Sequence, residues 1–295
     1  MIDLLDKART LTEALPYIKR TWGKTVVIKY GGAAMTDPEL RESVASDIVL
    51  MKLVGINPVI VHGGGPDITA YMERLGLPVE FVGGLRVTSP EAMEVVKMVL
   101  VGKVNKELVA AVNSHGRLAV GIAGDDANLI RGRQVSAELG RAGEVASVDT
   151  TVVANLIEDG FVPIIASVGA GEDGSFNINA DIVASEMAAA LGSDKVIFLT
   201  DVDGLYRDFD DKASLISALT LAEAEEMIAA GELTSGMIPK VRACTLALRA
   251  GVGRAHILNG TIPHALLLEV YTDEGVGTMI TLNEGAEGAP AEAVS

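Results

Sequence analysis

Residues 59–66, Val-Ile-Val-His-Gly-Gly-Gly-Pro, constrain the fold more than any other stretch of the chain. A short apolar run rich in β-branched side chains reads as a buried strand. It breaks into Gly63, Gly64 and Gly65, then Pro66 and a helix-like run from Asp67 to Leu75. Glycines at a strand-to-helix junction let the backbone take positive φ and approach a ligand closely. The helix behind them turns unsatisfied N–H groups and the positive end of its dipole toward whatever sits there. Three glycines exceed what a tight turn requires, so the stretch reads as an anion cradle; the alternative is a turn whose glycines only serve packing.

The same grammar recurs. Thr25–Tyr30 (TVVIKY) is a buried strand ending in Gly31-Gly32, with Lys29 inside its apolar run. An ammonium is costly to bury without an anionic partner, so Lys29 is either a salt-bridged structural lysine or one aimed at the mouth of the sheet, where open α/β sheets bind ligands. Phe161–Ala166 and Lys195–Thr200 are further buried strands, the second running into Asp201-Val202-Asp203-Gly204-Leu205-Tyr206. Helices are expected over Pro38–Val54, from Ser89 or Pro90 to about Val112, over 150–159, 182–191 and 221–230, and after Ser235. Either Thr88 with Glu91, at capping-box spacing, or Ser89 ahead of Pro90 opens the second of these. Residues 119–149 are rich in glycine and charge and read as a strand plus irregular hairpins. Asp125-Asp126 reads as a surface turn.

Three further positions carry chemistry. Arg86 sits in a glycine-flanked loop ahead of a helix, where arginine grips a carboxylate bidentately. Asn177, Asn179 and Asp181 precede an alanine-rich helix and suit capping or recognition of an amide and a carboxylate. Lys240 falls in the first turn of a helix, against the dipole preference; a joining anion would explain it.

Composition narrows the classes. The net charge of −16 and a pI near 4.7 argue against nucleic acid or an anionic membrane as partner. Cys244 is the only cysteine, so no intramolecular disulfide forms and a reducing compartment is expected; the thiol reads as a small buried hydrophobe. No run approaches the roughly 20 apolar residues of a membrane span, and a cytoplasmic protein is expected. The four histidines show no metal-ligand spacing. Gly251-Val252-Gly253 is followed by His256 where a dinucleotide fingerprint needs glycine, and no P-loop occurs. Residues 2–20 read as one amphipathic helix that docks on its own domain or on another subunit, and the tail after Asn283 reads as disordered.

Taken in order, Lys29-Tyr30-Gly31-Gly32, Val61-His62-Gly63-Gly64-Gly65-Pro66, Gly84-Leu85-Arg86-Val87-Thr88, Asn177-Ile178-Asn179-Ala180-Asp181, Thr200-Asp201-Val202-Asp203-Gly204-Leu205-Tyr206 and Gly236-Met237-Ile238-Pro239-Lys240 resemble the amino acid kinase family over nearly the whole chain. The resemblance implies an α/β fold, an αβα sandwich around one open, largely parallel sheet, with an extra N-terminal helix over residues 1–22. It implies an acyl-acceptor lobe at 23–192, an ATP lobe at 193–283 and a tail at 284–295. It further implies transfer of the ATP γ-phosphoryl group to the side-chain carboxylate of N-acetyl-L-glutamate in arginine synthesis. Lys29 and Lys240 would stabilise the phosphoryl group and Asp181 would orient them. Gly64, Gly65, Arg86, Asn177 and Asn179 would bind the acceptor. Gly31, Gly32, Thr200, Asp201, Asp203, Gly204, Tyr206 and Met237 would border the nucleotide. Mg²⁺ would ride on the ATP phosphates, with no dedicated protein metal site.

The chain ends resemble the arginine-inhibited members, in which the extra helix links dimers into a homohexamer, a trimer of dimers. Tyr17, His264, Glu269, Gly275 and Gly277 would then serve L-arginine, and a PII-type signalling protein is a possible partner. The rivals are sister kinases acting on carrier-linked aminoadipate, glutamate, carbamate, aspartate or uridylate, a catalytically silent arginine sensor, and a dinucleotide oxidoreductase, which the broken glycine fingerprint disfavours.

Overall fold

A computed structural model describes residues 4–35, 37–208, 210–234, 236–272 and 275–283; the tail at 284–295 lies outside the described residues. The chain opens with α1 (Leu4–Glu13) and α2 (Leu15–Thr21). One helix over 2–20 was expected and two are found, because Pro16 in the first turn of α2 has no N–H to return to the preceding turn. Next come β1 (Thr25–Tyr30), α3 (Pro38–Leu53), β2 (Asn57–His62) and α4 (Gly65–Arg74). Asp37 caps α3 by accepting the Glu39 and Leu40 N–H groups at 2.8 and 3.2 Å.

A small hairpin follows, β3 (Phe81–Val82) and β4 (Leu85–Arg86), turning through Gly83 and Gly84 at φ +58° and +82°, the pair of left-handed positions a two-residue hairpin needs. α5 (Pro90–Lys97), a π-helical segment (Met98–Val104) and α6 (Asn105–Asn113) then form one rod. Ser89 caps it, its hydroxyl accepting the Ala92 N–H at 3.1 Å, while the Thr88 hydroxyl donates to the Arg86 carbonyl. The remaining elements are β5 (Ala119–Ala123), β6 (Ile130–Gln134), β7 (Ala142–Val148), α7 (Thr151–Glu158), β8 (Val162–Ala166), β9 (Val168–Gly171), β10 (Gly174–Ile178), α8 (Ala180–Ala190), β11 (Lys195–Thr200), β12 (Leu205–Tyr206), β13 (Leu215–Ile216), β14 (Ala218–Thr220), α9 (Leu221–Ala230), α10 (Ile238–Arg249), β15 (Arg254–Asn259), α11 (Ala265–Tyr271) and β16 (Thr278–Thr281).

Eight strands form one open sheet in the order β14-β16-β15-β11-β1-β2-β8-β5. Every neighbouring pair is parallel except β15 with β16. Strands buried on both faces read as continuous apolar runs, which is how TVVIKY and KVIFLT stand out in the sequence. Along β1, Val26, Ile28 and Tyr30 enter a core shared with α3, the α5–α6 rod and α11, and Val27 enters a second core with α8, α9 and α10. Burying each such Ile or Leu side chain contributes about 2 kcal/mol. A second, closed sheet of four short strands, β10-β7-β6-β9, was not anticipated as a unit. Its strands carry Gly132, Gly143, Gly169 and Gly171, where a Cβ would collide with Phe176 or Ile178, the side chains that fill its centre. Glycine dilutes the alternating pattern by which strands are read.

The chain leaves β1 toward β2 on one side and leaves β11 toward β15 on the other. That reversal opens a crevice beyond the carboxyl ends of the two strands, and it sits where Gly31-Gly32 meets Asp201. On the α3 side, Asp47 is fully buried and accepts from His264 Nδ1 at 2.6 Å, so the residue that leads into α11 is held by α3. Burial pushes the Asp47 carboxyl up to about 6, from 3.8, against the pull of His264. A carboxyl raised on folding contributes stability that is complete below its unfolded value and lost as pH rises through its folded one. Urea unfolding of the wild type and Asp47→Asn at pH 4, 5.5 and 7 is therefore expected to show the wild type losing about 2.5 kcal/mol relative to the variant across that range. A constant difference refutes it.

Candidate active site

Alternation along β1 turns Lys29 away from the first core and toward α8 and α10. Its Nζ lies 3.0 Å from Asp181 Oδ1, and Lys240 Nζ lies 3.6 Å from Asp181 Oδ2. Asp181 stands in the first turn of α8, where a carboxylate is favoured by the dipole; Lys240 stands in the first turn of α10, where it is not. The shared aspartate offsets that cost. Burial works to raise the Asp181 carboxyl, but the charges of Lys29 and Lys240 and their hydrogen bonds outweigh it and hold the group below the ordinary carboxylate range. Two ammonium groups on one carboxylate leave a positive excess at the head of the sheet.

Lys29 and Asp181 border a cavity of about 290 Å³, with Lys240 joined to it through Asp181; its walls also include Gly31, Gly32, Gly63, Gly64, Gly65, Arg86, Asn177 and Asn179, with Met35, Ile68, Phe81 and Leu100 supplying apolar surface. Close approach explains three of the glycines. A Cβ on Gly31 would overlap the Lys29 ammonium, and one on Gly64 would lie 2.7 Å from Leu100. Gly32, at φ +73°, leaves no room for a Cβ beside the Asp201 carboxylate. Gly64 and Gly65 open α4, whose first N–H groups have no partner within the helix.

Arg86 reaches across the cavity from β4. Its Nη2 donates to Thr69 Oγ1 at 2.7 Å and to the Gly65 carbonyl at 3.1 Å, and the guanidinium stacks 4.6 Å from the Phe81 ring centre. Burial pulls its pKa below the usual arginine value, and the stacking and hydrogen bonds oppose that cost. Asn177 on β10 donates to Thr88 Oγ1 at 3.2 Å, which leaves its carbonyl oxygen available. Asn179 caps α8, its oxygen accepting the Asp181 N–H at 2.7 Å and that of Ile182 at 3.4 Å; its amide N–H₂ is the end left to face the cavity. Thr69, Phe81, Ser167 and Leu100 escaped the sequence reading. Only the spacing of Phe81 to Arg86 across a two-glycine hairpin hinted at any of them.

The other sequence candidates lie outside this cavity. Thr200 ends β11, and Asp201, the next residue, lies against Gly32. Asp203 accepts from the Tyr206 hydroxyl and, at 2.7 Å, from Asn259, and its carboxyl lies below its ordinary value chiefly through the Tyr206 bond. Gly204 packs against Thr278, and Met237 is buried at the N-cap of α10. The acidic loop folds back on itself: Asp211 caps the turn at Ala213, and Lys212 Nζ lies 4.4 Å above the Tyr206 ring.

At the far end of β15, Glu269 accepts from His256 Nδ1 at 2.6 Å and from the Val276 N–H at 2.9 Å. Burial drives His256 down toward the neutral form; it opposes ionisation of Glu269 too, but the hydrogen bonds from His256 and Val276 and the charge of Lys195 keep that carboxyl below its ordinary value. Gly275 (φ +59°) brings the backbone close to Glu269, and Gly277 packs on the Ile257 carbonyl. His264 faces Asp47, and Tyr17 lies under Arg20 on α2. Lys195, buried at the start of β11 within the field of Glu269, was not singled out from the sequence, where it read only as the first residue of a strand.

Residues 24–259 match the model of the amino acid kinase family. Acetylglutamate kinase from Heliobacterium modesticaldum is 50% identical over 293 residues, covering 95% of this chain and 99% of that protein. The enzyme of the same name from Pelotomaculum thermopropionicum is 51% identical over 288 residues, covering 93% and 98%. Among solved structures, N-acetylglutamate synthase from Neisseria gonorrhoeae, complexed with coenzyme A and N-acetyl-glutamate, superposes with a TM-score of 0.83 at 26% identity; the match covers 94% of this chain and 63% of that one. Carbamate kinase from Giardia lamblia bound to AMP-PNP shares the fold at a TM-score of 0.66 and 20% identity, covering 88% and 99%.

Asp181→Asn removes the anion from between the two lysines. Breaking a buried ion pair on one side costs about 3 kcal/mol, and denaturant unfolding at pH 7 is expected to show that loss. A carboxyl lowered on folding contributes stability that is complete above its unfolded value of 3.8 and lost as pH falls below it. The gap between wild type and variant should therefore close in acid, and a gap indifferent to acid would mean that Asp181 is not the counter-ion.

Proposed function

The chain belongs to the amino acid kinase family, and on that footing we infer that it transfers the γ-phosphoryl group of ATP to the side-chain carboxylate of N-acetyl-L-glutamate. The observation that carries this is the Lys29–Asp181–Lys240 triad beside a glycine cradle and opposite Arg86, in a chain about half identical to acetylglutamate kinases over nearly its whole length. One carboxylate oxygen attacks the γ-phosphorus, the bond to the β,γ-bridging oxygen breaks, and the products are an acyl phosphate and ADP. A carboxylate is already ionised at neutral pH, so no general base is needed. The protein's work is to bring two anions together and to balance the charge of the transferring group.

Lys29 and Lys240 supply that charge, and Asp181 keeps both aimed at one point. Gly64 and Gly65, at the start of α4, offer N–H donors to the acceptor and the γ-phosphoryl group, and Gly31 and Gly32 leave room for the phosphates. Arg86, pinned by Gly65, Thr69 and Phe81, clamps the α-carboxylate of the substrate. Asn177, with a free carbonyl, receives its amide N–H, and Asn179 offers its remaining N–H₂. Thr200, Asp201, Asp203, Gly204, Tyr206 and Met237 border the nucleotide beyond Gly32. Mg²⁺ prefers phosphate and water ligands with few carboxylates, so an ion delivered on ATP would ride mainly on the nucleotide phosphates.

At the second cluster, Glu269, Lys195, His264, Tyr17 and the Gly275–Gly277 turn form an L-arginine site, and α1–α2, with Leu11, Leu15 and Trp22 exposed, join copies into a hexamer. No described helix is long and apolar enough to cross a membrane.

The test is hydroxamate formation with ATP and Mg²⁺, offering N-acetyl-L-glutamate, glutamate, aspartate and N-acetylaminoadipate in parallel. Turnover with N-acetyl-L-glutamate alone is expected, reduced by about 100-fold or more in Lys29→Ala. Arg86→Lys, which keeps charge but loses the fork, is expected to raise KM for the acceptor by about tenfold with a smaller change in kcat. Preference for another carboxylate overturns the roles given to Arg86 and Asn177, and silence with all four leaves a non-catalytic arginine sensor. Sedimentation and rate measured with L-arginine test the second cluster: an arginine-insensitive dimer removes it.

A further inference from the structure

His62 ends β2 immediately ahead of the glycine loop and is completely buried. Its Nδ1 lies 2.9 Å from the carbonyl of the next residue, Gly63, and its Nε2 lies 3.1 Å from Asn105 Nδ2. A carbonyl can only accept, so Nδ1 carries the proton and Nε2 receives one from the amide. Asn105, also fully buried, gives its second amide hydrogen to the Ile164 carbonyl at 2.9 Å. The Ile122 carbonyl lies 3.4 Å from the same amide nitrogen, so each polar hydrogen of the pair has an acceptor, and neither side chain faces solvent.

Two features exist to make this pair. The Asn105 N–H bonds to the Leu100 carbonyl, five residues back, in the π-helical segment. The wider turn sets the residue at the start of α6 against β2 and β8, and such turns recur at functional sites. In β5, Gly121 leaves the space the Asn105 amide occupies, since a Cβ there would overlap Asn105 Oδ1. The same π segment places Leu100 and Val104 against Gly64. From the rod to the loop, Leu100 and Val104 meet Gly64 directly, and Asn105 meets the Gly63 carbonyl through His62.

We propose that His62 and Asn105 are positioning residues for phosphoryl transfer: the neutral Nδ1–H imidazole fixes the Gly63 carbonyl and so aims the Gly64 N–H at the transferring group. In a trans peptide the C=O and the following N–H point in opposite directions. A Gly63 carbonyl drawn toward the buried ring turns the Gly64 N–H away from it, on the side where Gly64 lines the cavity. Glycine is free to rotate that peptide, so something other than its own side chain has to hold it. Burial pushes His62 down to about 4, with the Gly63 carbonyl opposing and Lys106 adding to the shift. The ring therefore keeps one tautomer through the neutral range and takes no part in proton transfer. The proposal rests on the acyl-acceptor reading of the cavity.

Activity and stability separate it from a packing role. Asparagine places an amide nitrogen where Nδ1 stands and keeps the donor to Gly63; glutamine reaches the Nε2 position and keeps the partner of Asn105 but not that donor. His62→Gln is expected to unfold near the wild-type temperature yet lose about tenfold or more in kcat, since small misplacements of a reacting geometry are costly. His62→Asn is expected to melt lower and to retain most of kcat, with KM for ATP within about twofold in both. If kcat instead follows the melting order, or both variants keep kcat within about twofold, the proposal is overturned. Nitrogen-15 NMR of the wild-type imidazoles supplies a readout free of any substrate: His62 should show the neutral Nδ1–H form down to about pH 5. An Nε2–H or charged ring overturns the positioning role, whereas a wild type of the right tautomer that phosphorylates no N-acetyl-L-glutamate overturns the functional reading alone.

Discussion

Lys29 Nζ and Lys240 Nζ stand 3.0 and 3.6 Å from the two oxygens of Asp181, and three separate elements are needed to bring them there. β1 delivers one lysine because strand alternation points it away from the core that holds Ile28 and Tyr30. α8 delivers the aspartate in a first turn capped by Asn179, and α10 delivers the second lysine against its own dipole. Neither lysine is tolerable so close to the other in a largely buried setting without the shared carboxylate. The helix packing around β1 is thus organised so that one negative group serves two positive ones.

The positive excess would be of little use without a backbone that can come near an anion. Parallel strands of an open sheet all end on the same side, and the order in which strands are added reverses between β1 and β11, so Gly31-Gly32 and Gly63-Gly64-Gly65 face one crevice. The closed four-stranded sheet completes the enclosure from the other direction. It carries Asn177 and, through the isolated bridge between Thr88 and Gly140, braces the segment that follows Arg86. The cavity is built by the open sheet on one side and the closed sheet on the other, with Arg86 and Phe81 across its mouth.

Much of this was legible from residue order. TVVIKY, NPVIVH and KVIFLT are apolar enough to be central parallel strands, and glycine runs at their ends mark the loops that meet ligands. Lys29 and Lys240 stood out because each is a charge in a place that charge avoids, Arg86 because it stands in a glycine-flanked loop ahead of a helix, and Asp181 because its stretch resembles the family's. The closed sheet was not legible, because its strands owe their pairing to glycines that let Phe176 and Ile178 fill the centre, and glycine erases the alternation that betrays a strand. The break between α1 and α2 was signalled by Pro16 but overridden by the helical spacing of leucines on either side. Lys195 was hidden for the opposite reason: as the first residue of a strand it looks like an ordinary surface lysine, and only its place between β1 and β15 buries it within the field of Glu269.

By itself, then, the sequence determined the parallel sheet, the glycine loops and the identities of the charged groups, since hydrophobic period, backbone permissiveness and the cost of buried charge are local properties. Which groups would touch was decided by the tertiary structure. Lys29, Asp181 and Lys240 are separated by 152 and 59 positions in the chain, and His62 and Asn105 meet only because a π-helical turn shifts the register of a long rod against β2. Contacts of that kind depend on how helices seat on the sheet, to within about 1 Å, and no periodicity along the chain encodes a distance between two elements.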